Sequence, residues 1–423
     1  MLYECWRQVS RRHGTECALW DTGSSRRWTF RELAVAVENS ERGKGEVVYP
    51  HGQGPEFILT LLRAWRDQAM VCPLEQNQEA ISVPSPGSPF CHLKMTSATT
   101  GIARMIAFAP EQLVADAENI VTTMGLVPDS PNLGVISMAH SYGFSNLVLP
   151  LVLHGIPLIL TASPFPEVVR RALRDHPHVT LPAVPALWRA WSDAGILRQG
   201  LVRLAISAGA PLQTSLEAKV YQDSGLKIHN FYGSSECGGI AYDTSESPRH
   251  SDELAGMPMR NVRVEIGEQG CLVVRSKAVG TTYWPIPDAS LGDGCFRTSD
   301  LADILDERVY LRGRIGDQIN VAGRKLSPCD IERALACHPD VTDCLVFGAP
   351  SQDEVRKEII VACLAARGAH DPERFKQHLL KFLPGWQVPR EWWFVEALGT
   401  NERGKMPRGE WRRRYLERKA AHP

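Results

Sequence analysis

Four short segments of this 423-residue chain carry side chains suited to handling a phosphate ester. The first is Thr96-Ser97-Ala98-Thr99-Thr100-Gly101-Ile102-Ala103-Arg104, which places four hydroxyls, a glycine and a cation between an expected strand and an expected helix. Backbone N–H groups, hydroxyls and an arginine in one loop can surround phosphate oxygens. A solvated Ser/Thr-rich loop has the same composition. The second runs from Asn230 to Gly239 and reads NFYGSSECGG. Tyr232 has a face to stack on a purine, and Glu236 has oxygens for Mg2+. A turn with a surface glutamate reads no differently. The third pairs Arg297-Thr298-Ser299-Asp300 with Leu311-Arg312-Gly313-Arg314. Asp300 can accept from two ribose hydroxyls and Arg314 can reach ribose or phosphate, or the two form an ordinary surface ion pair of small energetic weight. The fourth is Gly404-Lys405, a compact positive charge beside a glycine. Gly399 and Gly404-Lys405 have Walker A spacing, but Met406 stands where that loop needs Ser or Thr, which excludes a P-loop NTPase.

These segments need elements to hold them. Trp28–Val37 is expected as a short amphipathic helix and Glu56–Trp65 as another, with a strand at Glu46–Tyr49. A Pro/Ser/Gly-rich connector, Ser82–Pro89, leads to a strand at Cys91–Thr96 and a helix at Glu111–Met124. Gly134–Ser137 and Pro157–Thr161 read as short buried strands, and Leu147–Ala162 as a core helix, a turn and a strand. Alternation of strands and helices to about residue 240 predicts an α/β sheet with crossover helices. Val262–Ile266 and Cys271–Arg275 flank a GEQG turn as a β-hairpin. A last unit begins near Leu311, with helices at Cys329–His338 and Asp371–Phe382 and strands at Asp343–Phe347 and Glu358–Leu364. The expected architecture is a large N-terminal α/β sheet domain with a β-hairpin or barrel-like subdomain, plus a small C-terminal α+β domain.

Composition narrows the function. Hydrophobic residues make up 43% and charged residues 22%, the balance of a globular protein, and the net charge of −1 gives no footprint for nucleic acid. The 11 cysteines include no CxxC pair, so metal ribbons and thioredoxin-type sites are not expected. Reduced thiols fit a cytoplasmic setting. The N-terminal run lacks a signal-peptide pattern, and the most apolar stretch is interrupted by Pro150, His154, Gly155 and Pro157, short of the roughly 20 residues a membrane span needs.

Taken in order, the segments resemble the acyl-adenylate-forming superfamily of acyl-CoA synthetases, aryl-CoA ligases, peptide-synthetase adenylation domains and firefly luciferase. TSATTGIAR is similar to the family's [ST]-[ST]-G-[ST]-T-G-x-P-K loop, FYGSSE to Y-G-x-[ST]-E, and FRTSDLA to its T-G-D motif. GRIGDQINVAGRKLSPCDIE resembles the long motif at the hinge, and NERGKMPR the closing G-K-[VI]-x-R. The resemblance spans nearly the whole chain. It implies ATP-dependent conversion of a carboxylic acid to an acyl-AMP, then transfer to a thiol of CoA or of a phosphopantetheine carrier. It also implies roles. Thr96, Ser97, Thr99, Thr100, Gly101 and Arg104 would hold phosphates, Tyr232 would face the adenine with Gly233 also in the nucleotide site, Ser235 would lie at the α-phosphate and Glu236 at Mg2+. Asp300 and Arg314 would hold the ribose, and Lys405 would bridge carboxylate and α-phosphate. His140, Tyr142, Gly143, Ala208, Gly209 and Gly238 would line the acyl pocket. The implied domains are 1–313 and 317–423, with 314–316 as hinge and Gly316 at its turning point.

Four departures from the family pattern stand out: Ala98 for glycine, Ala103-Arg104 for Pro-Lys, Ser299 for glycine and Gly316 for the usual Asp or Lys. The N-terminal domain is shortened near residues 75–95, which is expected to expose a face for a partner or a second subunit in a homodimer. The expected acceptor is CoA. An acyl carrier protein acting in trans is the alternative; the basic helix Arg408–Lys419 would meet an acidic carrier or the CoA phosphate, or is a plain solvated helix. A scaffold that binds nucleotide without turnover is the second alternative.

Overall fold

The computed structural model describes residues 1–43, 45–76, 78, 86–87, 89–95, 104–351, 358–399 and 408–421. They fall into two compact units. One comprises Met1–Glu265, Val273–Thr298 and Ile304–Tyr310; the other comprises Ile266–Leu272, Ser299–Asp303 and Leu311–Pro423.

The larger unit is built on short apolar runs buried on both faces, the pattern of a parallel sheet. Cys17–Asp21, Leu158–Leu160, Asn132–Gly134, Val179–Ala183, Val202–Ser207 and Ile228–Ser234 lie side by side in that order, all parallel. Gly238–Tyr242 and Leu254–Pro258 extend the sheet antiparallel. Arg26–Thr29 closes the opposite edge. The chain leaves Asn132–Gly134 for Leu158–Leu160 on one side and returns to Val179–Ala183 on the other. Such a reversal of strand order opens a crevice at the carboxyl ends of the strands.

Local signals start the helices where the sequence places them. Thr29 accepts from Glu32 N–H while Glu32 accepts from Thr29 N–H, a capping box opening Phe30–Glu38. Prolines open Pro55–Arg66, Pro110–Met124, Pro166–Asp175 and Pro185–Asp193, where a missing N–H costs nothing. Trp188 and Trp191, fully buried and edge-to-face at 5.3 Å, fill the core beside the parallel strands.

A second sheet in this unit corrects one expectation. Val47–Val48, Met70–Val71 and His92–Met95 are parallel, and Met105–Phe108 then runs antiparallel to His92–Met95. The Ser/Thr-rich segment therefore joins two strands of a hairpin, not a strand and a helix, with Met95 opposite Met105 at its base. The helix follows only at Pro110. Four buried residues in MIAF form that extra strand, too short a run to be told from a helix start by periodicity.

In the smaller unit, Val341–Pro350 and Glu358–Ala366 pair antiparallel, and Glu391–Phe394 joins parallel. Alternation sends Val346 and Leu364 into one apolar cluster, and Leu345, Phe347 and Cys363 into another on the opposite face. Helices Pro328–Ala336 and Pro372–Leu379 bury Leu335, Phe375 and Leu379 in the first cluster; the last helix covers the second with Trp411 and Tyr415. Among the described residues no helix is long and apolar enough to cross a membrane.

Candidate active site

The segments singled out in the larger unit converge on the carboxyl ends of its parallel strands. Ser137 and His140 follow Asn132–Gly134, Ala208 and Gly209 follow Val202–Ser207, and Ser235 and Glu236 follow Ile228–Ser234.

Glu236 sits in the turn between Ile228–Ser234 and Gly238–Tyr242. Its N–H donates to Ser234 Oγ at 3.2 Å, and its carbonyl accepts from Gly280 N–H at 2.8 Å. Tyr283 Oη donates to Glu236 Oε1 at 3.0 Å. Oε2 has no protein partner among the described residues. Burial and the neighbouring Glu236 carboxylate push the Tyr283 phenol pKa upward, so it stays a donor. The turn tolerates only glycine at 238: φ is +69°, and a Cβ there would lie 2.0 Å from Asp116 Oδ1. Asp116 is buried; it accepts from Ser145 Oγ at 2.5 Å, and Lys94 Nζ lies 3.7 Å away.

Arg104 leaves the hairpin loop toward the same place. Its guanidinium lies 5.5 Å from the Tyr283 ring centroid, and Nη1 is 3.3 Å from Asp288 Oδ2. The hydroxyl and N–H of Ser290, and then Arg104, hold the Asp288 carboxyl below its usual range. Tyr232 is half-buried in its strand opposite Ala241, with Gly233 exposed beside it and Ser235 half-buried in the turn.

His140 opens a short helical turn, Ser141–Gly143, that continues as a π-turn over Phe144–Val148. Such π-turns recur at functional sites. His140 Nε2 lies 2.8 Å from Glu75 Oε1, an ion-pair distance without hydrogen-bond alignment, and Ser137 Oγ donates to that same oxygen at 2.6 Å. Tyr142 turns its hydroxyl inward, toward the carbonyls of Ile206 at 3.2 Å and Ala183 at 3.4 Å. It therefore offers a ligand its ring rather than a hydrogen bond. Ala208 is buried, and Gly209 adopts φ +86°.

The other segments belong to the smaller unit. Arg314 Nε donates to Asp300 Oδ1 at 2.8 Å; the arginine is 56% exposed and the carboxylate 16%. Gly316 lies in a 3-10 turn, Ile315–Asp317, where an added Cβ meets nothing within 4 Å. The backbone itself does not demand glycine there. Thr96, Ser97, Ala98, Thr99, Thr100, Gly101, Ala103 and Lys405 lie outside the described residues.

The donor chemistry fits Mg2+. A hard cation that keeps most of its water and takes its other ligands from nucleotide phosphates needs only one or two protein carboxylates. Glu236, with one oxygen anchored by Tyr283 and the other without a partner among the described residues, suits that role. Among the described residues there is no cluster of three His, Cys, Asp or Glu that would hold a metal unaided.

Residues 47–284 match the AMP-binding enzyme family, and residues 330–405 match the AMP-binding enzyme C-terminal domain. This chain belongs to the AMP-binding enzyme family. It is an AMP-forming ligase of the acyl-adenylate-forming superfamily. The feruloyl-CoA synthase of an Amycolatopsis species is 28% identical over 349 residues, covering 77% of this chain and 70% of that protein. The anthranilate–CoA ligase of Pseudomonas aeruginosa is 26% identical over 394 residues, covering 86% and 75%. The ATP-bound MatB structure from Rhodopseudomonas palustris superposes with a TM-score of 0.86 at 18% identity, covering 98% of this chain and 99% of that one. That last likeness establishes the α/β fold with its smaller C-terminal domain.

Reasoning from sequence missed Tyr283, Asp116 and Glu75. None sits in a segment with a chemical signature, and each matters through a partner distant in the chain.

Proposed function

We propose that this enzyme activates an aromatic or medium-length carboxylic acid with ATP and passes the acyl group to CoA. One observation carries the reading: Glu236, fixed by Tyr283 and Gly280, presents at the strand ends a carboxylate oxygen with no protein partner among the described residues. Two relatives named for aromatic acids, feruloyl and anthranilate, support the substrate class.

The obstacle is electrostatic, because a carboxylate must approach an anionic α-phosphate. Pre-placed cations and N–H donors lower that barrier. Lys405 bridges the two anions, and Ser235 donates to the α-phosphate. Arg104 and the hydroxyls of Thr96, Ser97, Thr99 and Thr100, with the Gly101 N–H, hold the outer phosphates. Tyr232 and Gly233 face the adenine, and Asp300 and Arg314 grip the ribose. Glu236 would hold Mg2+, which when bound would supply charge neutralisation of the phosphates. A carboxylate oxygen bonds to the α-phosphorus as the bond to pyrophosphate breaks. His140, Tyr142, Gly143, Ala208, Gly209 and Gly238 border the acyl group. In the second step the thiol sulfur bonds to the acyl carbon, its proton leaves to solvent, and AMP departs. The chain acts as two domains, 1–313 and 317–423, that reorient at 314–316 about Gly316 between the steps. Its eleven free cysteines support a cytoplasmic setting.

ATP–pyrophosphate exchange across a panel of aromatic and fatty acids tests this. Exchange with at least one acid, abolished in Lys405→Ala, is expected, with thioester on adding CoA. Thioester only with an acyl carrier protein would change the acceptor. Tight ATP binding without exchange for any acid would sink the enzymatic reading.

A further inference from the structure

We infer that Tyr283 is a positioning residue for the metal-binding carboxylate, holding Glu236 so that its second oxygen faces the nucleotide phosphates. The inference rests on the reading of Glu236 as the Mg2+ ligand.

Three observations converge on the segment Gly280–Asp288. Gly280 N–H fixes the Glu236 backbone and Tyr283 Oη fixes its carboxylate, so both ends of the side chain are held by residues three positions apart. Tyr283 is itself immobile. It is 7% exposed, and its strand, Thr282–Trp284, pairs antiparallel with Met105–Phe108, Tyr283 standing opposite Ile106. That partner strand begins one residue after Arg104, whose guanidinium lies toward the Tyr283 ring. One buried phenol thus touches the acidic turn and the exit of the Ser/Thr-rich loop together.

The physical consequence is pre-organisation. A free glutamate samples many rotamers, and binding a cation through it means giving up that freedom. A phenol hydrogen bond to one oxygen removes it in advance and leaves the other oxygen for the cation. The same bond disfavours a bidentate grip, which suits a small ion that demands near-octahedral geometry.

The test is Tyr283→Phe in the full chain, a change that removes one oxygen and keeps the ring. Mn2+ binding in the presence of a non-hydrolysable ATP analogue, followed by electron paramagnetic resonance, is expected to weaken roughly tenfold, the scale of a hydrogen bond to a charged group. Nucleotide affinity measured without metal should stay at the wild-type value, while the melting temperature should fall only by the scale of one lost hydrogen bond. Glu236→Gln should weaken Mn2+ binding at least as much, and adding Tyr283→Phe to it should cost nothing more. Unchanged Mn2+ affinity in Tyr283→Phe, while Glu236→Gln loses it, would overturn the inference and leave Glu236 as ligand. Unchanged affinity in both variants would overturn the reading of Glu236 itself. Equal losses with and without metal would reduce Tyr283 to a structural role.

Discussion

Arg408 donates from Nη1 to Asp317 Oδ2 at 2.6 Å, across 91 positions of chain, and from Nη2 to both oxygens of Glu332 at 2.7 and 2.9 Å. Its Nε donates to the Val346 carbonyl at 2.8 Å. Asp317 follows Gly316 directly, and Arg408 comes three residues after Lys405. The clamp therefore ties the start of the final helix, Arg408–Ala421, to the strand of Val346 and to the residue beside the proposed hinge. Replacing it by alanine strands two carboxylates. With Arg408 19% exposed, the loss should fall below the range for a fully buried pair, at about 2–3 kcal/mol. Urea unfolding of the full chain should show an earlier transition for Arg408→Ala, and Arg408→Lys should recover only part because it lacks the planar fork.

A second charge cluster lies in the larger unit. Glu217 is fully buried; it accepts from Arg249 Nε at 2.9 Å and pairs with Lys227, which in turn donates to Asp243 Oδ2 at 2.6 Å. Glu217→Ala leaves two buried cations facing one carboxylate and should cost about 3–5 kcal/mol. A midpoint shift equivalent to under about 1 kcal/mol would show that water replaces the lost carboxylate.

Acid sensitivity should come in part from His92. Both ring nitrogens are buried without partners among the described residues, and the ring packs 4.4 Å from Phe144. Burial, and then the nearby Lys94, hold its pKa well below the ordinary histidine value. The unfolded chain takes up a proton near pH 6.5 that the native ring refuses, so stability is full above that value and falls as pH drops below it. The expected slope is about 1.4 kcal/mol per pH unit from this residue. Chemical denaturation between pH 7 and 5 should show a shallower pH dependence in His92→Phe than in the parent chain.

Gly143 supports His140 through a close approach. A Cβ at this position would lie 1.9 Å from the Ser137 carbonyl oxygen. Gly143→Ala must push the Ser137–His140 segment away, at a cost of about 1–3 kcal/mol. If that segment borders the acyl group, KM for the acid should rise while KM for ATP holds. Equal changes in both would detach His140 from acid binding.

The order of the chemistry is legible along the chain. TSATTGIAR, FYGSSE, FRTSDLA and NERGKMPR carry the resemblance to the adenylate-forming family because each is a contiguous run whose residue types and spacing are visible along the chain. The alternating strands and helices were legible for a similar reason: buried apolar runs and proline or threonine helix starts are local signals. What holds those groups still comes from contacts between segments distant in the chain. The Ser/Thr-rich loop proved to span a hairpin because Met105–Phe108 finds its partner strand across the loop. Asp116 dictates glycine at 238, 122 positions further on, and Tyr283 reaches Glu236 over 47. Contacts of that kind depend on strand order and register, which no short window of sequence contains.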